Sequence, residues 1–127
     1  MKRAKLRLGQ LQLRIMQVLW ERGPARVGDV QEALEGGDAM AYTTVATMLR
    51  KMEARGLVTH DNEGRSFIYR ADVSQDDVTR SMSDDLMDRV FEGSLTDMVS
   101  HLLTTREVSA DELKQLERLI AERRKRS

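Results

Sequence analysis

Apolar residues recur along this chain with two different periods, and the changes of period mark its elements. Leu8, Leu11, Ile15, Val18 and Leu19 keep helical spacing, and Met16 and Trp20 widen the apolar face, so residues 8–22 read as a first helix that Gly23-Pro24 ends. Trp20, the sole tryptophan, is expected in the core. Ala25-Arg26-Val27 reads as a short extended link, and residues 28–35 as a second helix with Val30, Ala33 and Leu34 facing inward. Gly36-Gly37-Asp38 then supplies a turn before AYTTVATMLRKMEARG, residues 41–56. There Val45, Met48, Leu49 and Met52 fall at i, i+3, i+4 and i+7, the spacing of a buried stripe. After Gly56 the pattern alternates: residues 57–60 and 66–70 are strand candidates, with the polar, glycine-bearing 61–65 between them as a hairpin loop.

The second half returns to helical spacing. Ser74 followed by Asp76 and Asp77 reads as a helix start, and Val78, Met82, Leu86 and Val90 recur in steps of four with Met87 and Phe91 beside them. Glu92-Gly93 interrupts the pattern. Ser94 caps a helix carrying Leu95, Met98, Val99, Leu102 and Leu103 on one side, and Ser109-Ala110-Asp111-Glu112 opens a last helix with Leu113, Leu116, Leu119 and Ile120 in a strip.

These elements predict a mainly α protein. An N-terminal winged helix-turn-helix, three helices plus a β-hairpin wing, occupies residues 1–72, and a C-terminal three-helix dimerisation region occupies residues 73–127. The recognition helix is placed at 42–55 and the wing at 61–66. Opposite its apolar stripe, the third helix carries Thr43, Ala46, Thr47 and Arg50, with Tyr42, Thr44 and Lys51 alongside. Short side chains let a helix approach a duplex closely; threonine can bond a base edge or touch a thymine methyl, and arginine reaches guanine or phosphate. Arg65 at the hairpin tip suits a phosphate or the minor groove. A solvated amphipathic face would carry the same charges, but the order of three short helices and a basic-tipped hairpin favours DNA.

Charge sharpens this picture. The formal net charge is zero, yet through Arg70 there are twelve Lys/Arg against eight Asp/Glu, and beyond it nine against thirteen. A basic front and an acidic back suggest two tasks. The basic start, Lys2, Arg3, Lys5 and Arg7, reads as a flexible arm able to touch phosphates. Three amphipathic helices in so short a segment bury too little surface alone. A homodimer clasped through Val90, Phe91, Leu95, Met98, Val99, Leu102, Leu103, Leu113, Leu116 and Ile120 resolves that deficit, and its two-fold axis suits a pseudo-palindromic operator.

The pieces LGQLQLRIMQVLWERGPARVGDVQEAL, AYTTVATMLRKMEARGLVTHDNEGRSFIYRADVS and FEGSLTDMVSHLL, in that order, resemble the penicillinase and methicillin-resistance repressors, the BlaI/MecI family. The resemblance spans nearly the whole chain. It implies a winged-helix repressor with a helical dimerisation domain, bound to double-stranded operator DNA with inverted TACA/TGTA-like half-sites. It places Thr43, Thr44 and Thr47 at recognition positions and Arg65 in the wing. It also implies relief of repression when a membrane-bound sensor triggers cleavage in the dimerisation domain. His101-Leu102 stands where the family's Asn-Phe cleavage pair falls. A copper-sensing relative uses a C-terminal Cys-x-Cys, which this cysteine-free chain lacks.

Other chemistry is poorly provided for. Without cysteine there are no disulfides, thiolate sites or cysteine nucleophiles, and a reducing cytoplasm is allowed. No apolar run suits membrane insertion, and no secretory signal is evident. Asp84, Asp85 and Asp88 lie on one helix without a histidine at ligand spacing, so a solvated acidic face is expected and no metal or cofactor. His60 and His101 have no evident carboxylate or nucleophile partner, and the methionines read as core filling. No enzyme is expected. The alternative reading is a winged helix that meets another protein and has no sequence-specific DNA binding.

Overall fold

Three short helices and a hairpin close their apolar faces over one aliphatic core in the computed structural model, which describes residues 6–34 and 40–127. The elements are α1 (Gln10–Arg22), α2 (Val27–Leu34), α3 (Tyr42–Ala54), β1 (Val58–Glu63), β2 (Ser66–Ala71), α4 (Gln75–Val90), α5 (Leu95–Thr105) and α6 (Ala110–Arg126). This is the mainly helical, winged-helix architecture that the periodicity predicts. Ile15, Met16 and Leu19 of α1, Val30 and Leu34 of α2, and Val45, Leu49 and Met52 of α3 are buried together with Leu57, Val58 and Tyr69. Trp20 packs against this core and its indole Nε1 donates to the Val73 carbonyl at 3.0 Å.

Several boundaries differ from expectation. α1 begins two residues later, because Gly9 is its N-cap and the Gln12 side chain turns back to accept from the Gly9 amide at 3.1 Å. α2 begins at Val27, and the expected Gly36-Gly37-Asp38 turn lies outside the described residues, as do Lys2, Arg3 and Lys5. Met48 is only half-buried, at the margin of the stripe. α3 ends where Gly56 takes a φ of 78°: its amide bonds to the Glu53 carbonyl and the Leu57 amide to the Met52 carbonyl, each at 3.0 Å. That pair of bonds satisfies the last carbonyls of the helix and turns Leu57 into the core.

The hairpin is longer than its hydrophobic pattern implies. Pairing runs antiparallel from Val58↔Ala71 to Glu63↔Ser66, so the expected loop 61–65 shrinks to a two-residue turn, Gly64-Arg65. Asp61, Asn62 and Glu63 are strand residues exposed on both faces, which leaves no apolar alternation to read. Gly64 has a φ of 62° at the first central position, the backbone a tight hairpin turn requires there. At the other end, Ala25 and Tyr69 exchange both backbone bonds, at 2.9 and 2.8 Å, so the link before α2 forms a short third strand position beside the wing.

The chain divides into two compact units, Met1–Asp85 and Leu86–Ser127. The division falls inside α4, whose Val78 is buried in the first unit's core and whose Met82 packs against it. In the second unit, Ser94 accepts from the Asp97 amide and Ser109 from the Glu112 amide, each at 3.1 Å, which fixes the starts of α5 and α6. No residue of α5 or α6 is buried. Leu102 and Leu103, apolar-face residues that the spacing would bury, are exposed in the single chain. Among the described residues, no helix is long and apolar enough to cross a membrane.

Candidate nucleic-acid interface

The outer face of α3 is set by what its inner face must bury. With Val45, Leu49 and Met52 in the core, the helical period turns Tyr42, Thr43, Thr44, Thr47, Arg50 and Lys51 outward, and all six are exposed. Ala46 lies half-buried behind them. Ala41 provides no side-chain cap and the first turn carries no acid, so the positive end of the helix is left open beside Tyr42, Thr43 and Thr44. Thr43, Thr44, Thr47, Met48 and Lys51 line a shallow depression of about 270 Å³. The Arg50 guanidinium donates to the Thr47 hydroxyl at 3.3 Å, so the two residues expected to reach a duplex orient one another.

A second, larger groove of about 450 Å³ lies between α3 and the wing. Arg26, Gly28 and Asp29 at the start of α2 form one side; Tyr42, Ala46 and Arg50 form another; Arg65, Ser66, Phe67 and Tyr69 of the hairpin complete it. Three arginines therefore line one concave surface. Arg65 is brought to the same groove as Tyr42, Ala46 and Arg50, whereas Thr43, Thr44, Thr47 and Lys51 lie on the neighbouring depression. Arg26 was missing from the sequence expectation. Its position after Gly-Pro carries no periodic signal, and only the folded hairpin brings it near Arg65.

The acids on the wing are already engaged. Arg26 pairs with Glu63 at 3.0 Å, and Arg70 pairs with Asp61. Both pairs are exposed, so each stabilises by little, but together they offset negative charge beside Arg65. Tyr69, buried against the helices, closes the floor. Its hydroxyl pKa is raised above the usual value, first by burial and then by the Glu53 carboxylate.

His60 corrects an expectation. Its Nδ1 lies 2.7 and 2.8 Å from the two Glu53 carboxylate oxygens, a partner that spacing along the chain does not reveal. The turn at Gly56 brings β1 back along the end of α3 and creates this pair. The imidazole also stacks on Phe67, with ring centroids 4.1 Å apart and 23° between planes. The end of α3 is thereby tied to the wing. Asp84, Asp85 and Asp88 are not part of any such constellation: among the described residues, no three His, Asp or Glu side chains are grouped to hold a metal.

Helix–turn–helix, flanking hairpin and an arginine-lined groove together define a winged-helix protein of the nucleic-acid-binding kind. A solved structure with a TM-score of 0.50 shares the fold: the Bacillus licheniformis BlaI monomeric form in complex with the blaP half-operator, 24% identical, matched over 58% of this chain and 90% of that one. The penicillinase repressor family model matches residues 8–122. The transcriptional regulator BlaI of Mycobacterium tuberculosis is 35% identical over 122 residues, covering 94% of this chain and 87% of that protein. The penicillinase repressor of Bacillus licheniformis is 25% identical over 119 residues, covering 94% and 93%. This chain belongs to the penicillinase repressor family, the BlaI/MecI regulators.

Proposed function

We propose that the protein is a cytoplasmic, homodimeric transcriptional repressor that binds a pseudo-palindromic operator, reading bases with α3 and gripping backbone with the wing. The observation that supports this most strongly is the exposed face of Thr43, Thr44, Thr47 and Arg50 beside a groove carrying Arg26, Arg50 and Arg65. Threonine hydroxyls and methyls specify bases, and the guanidinium groups neutralise phosphates. Family membership supports the same reading.

Assembly is supported by the second unit. Leu95 is 60% exposed, Leu119 61% and Ile120 56%, on helices that bury nothing of their own. Apolar strips of this kind are stable in water when a second copy covers them. Val90, Phe91, Leu95, Met98, Val99, Leu102, Leu103, Leu113, Leu116 and Ile120 form the seam in this proposal, and each two-fold pair of recognition helices meets half-sites about one duplex turn apart.

Relief by proteolysis is the finer part of the proposal. The His101–Leu102 bond lies inside α5, and the Thr104 and Thr105 hydroxyls add bonds to the Ser100 and His101 carbonyls at 2.7 and 2.8 Å. A sensor-triggered protease therefore requires local unwinding before it can cut. Mass spectrometry of cells before and after β-lactam exposure tests this: fragments ending at His101 support it, and an intact chain under induction refutes it.

The binding experiment is a salt series. Affinity for promoter duplex falls steeply between 50 and 200 mM salt, on the order of 10³-fold or more if six or so phosphates are contacted. Arg65→Ala weakens all sequences alike and flattens the slope by about one, whereas Thr47→Ala relaxes preference at one base position. Absence of any protein-dependent shift at low salt would falsify the repressor reading.

A further inference from the structure

The described residues before α1 do not hang free, and their contacts join two elements that are far apart in sequence. The Leu6 amide donates to the Ser81 hydroxyl of α4 at 2.9 Å, and Arg7 pairs with Asp85 of the same helix at 3.3 Å. Arg7 thus departs from the expected free arm. On the other side, the Arg55 guanidinium at the end of α3 donates to the Arg7 carbonyl and, at 2.9 Å, to the Gln12 side chain of α1. Gln12 in turn accepts from the Gly9 amide and donates to the Met48 sulfur at 3.6 Å. Leu6 and Leu8 anchor the segment by packing into the core.

We propose that residues 6–9 act as a strap that fixes α4 against the last turn of the recognition helix, and that Ser81, Asp85 and Gln12 are positioning residues for operator half-site spacing. This rests on the operator-binding reading above. Two features make the strap suited to the task. It meets the recognition helix at its C-cap, Arg55, beyond the last helical turn and well past the Thr43–Thr47 stretch, so it can hold the end of that helix without occupying the threonine positions. It meets α4 within an unbroken helix that runs on to Val90, the first residue of the proposed seam. A loose connection would let each half-site be read independently; a strapped one makes the separation between half-sites part of what is recognised. The individual bonds are exposed or half-buried and add little stability each. Their effect lies in orientation, which a two-fold reader needs at both half-sites together.

The test uses the full chain and a duplex whose inverted half-sites are selected by the protein from random-sequence DNA, with spacers lengthened or shortened by one and two base pairs. The wild type should discriminate against altered spacers. The double variant Ser81→Ala/Asp85→Ala, which touches no DNA-facing residue, should lose about fivefold or more of that discrimination while binding a single half-site as the wild type does. Gln12→Ala loosens the strap from the α1 side and should shift the spacing profile in the same direction. An independent readout is amide hydrogen exchange at Leu6, which should quicken in Ser81→Ala without DNA present. An unchanged spacing profile in both variants overturns the strap. So does an equal loss on single half-sites with a lowered melting temperature, because the residues would then serve only stability. Failure of the operator reading itself is recognisable separately: the wild type would select no sequence at all.

Discussion

Tyr69 concentrates several functions in one side chain. Its backbone exchanges both hydrogen bonds with Ala25, its ring lies in the core, and the residue lines the groove that also carries Arg26, Arg50 and Arg65. Burial and the Glu53 carboxylate raise its pKa above the ordinary 10.0. The sign follows from proton linkage. Above about pH 10 the unfolded chain loses this proton and the folded one retains it, so stability falls as pH rises; below that range the group contributes no slope. Tyr69→Phe should remove this alkaline component while leaving the neutral-pH fold intact. Denaturant melts of both proteins between pH 8 and 11 check it: parallel pH profiles would refute the assignment. At this scale the sequence was only partly legible. The outward set on α3 followed from the helical period, since Val45, Leu49 and Met52 leave one orientation possible. Arg26, and the pairing of His60 with Glu53, depend on where the hairpin lands, and no local pattern encodes that.

At the scale of elements, the starts of α4, α5 and α6 were readable because serine caps act locally: each hydroxyl accepts an amide three residues on. The third helix was readable because its stripe is regular. The hairpin's length was not, because a wing projecting into solvent has no buried face to impose alternation beyond Ile68. Its turn depends on one residue. At Gly64 a Cβ would meet no atom within 4 Å, so crowding is absent and the cost of a side chain lies in the backbone alone, at a φ of 62°. Gly64→Ala should therefore destabilise by about 1 kcal/mol, read as a lowered melting temperature, and should weaken DNA binding uniformly by displacing Arg65. If binding is unaffected, the wing tip is not a backbone contact.

At the scale of the whole molecule, the shortage of burial along α5 and α6 is legible in the sequence, but the packing of Val78 and Met82 with the front core is not. Val78 and Met82 share the spacing of Leu86 and Val90, so periodicity alone cannot tell which turn faces which partner. The exposed strips of α5 and α6 make a prediction. Ile120→Asp removes no contact from the buried core, so the front unit should melt as before. Placed in the proposed seam, the charge should weaken self-association at least tenfold, seen by sedimentation as a shift toward the single chain, with loss of full-operator affinity and retention of half-site affinity. An unchanged sedimentation coefficient would remove these helices from the interface.

The short pairing of Ala25 with Tyr69 has a mechanical corollary. It braces the hairpin at its root, while from Ile68 outward each strand has only the other for a neighbour. The hairpin is thus a cantilever: stiff where it joins the body, increasingly compliant toward Gly64-Arg65. In the operator complex proposed above, such a compliant cation would follow the sugar–phosphate rail through small sequence-dependent changes in groove width, while the clamped helix beside it would tolerate almost none.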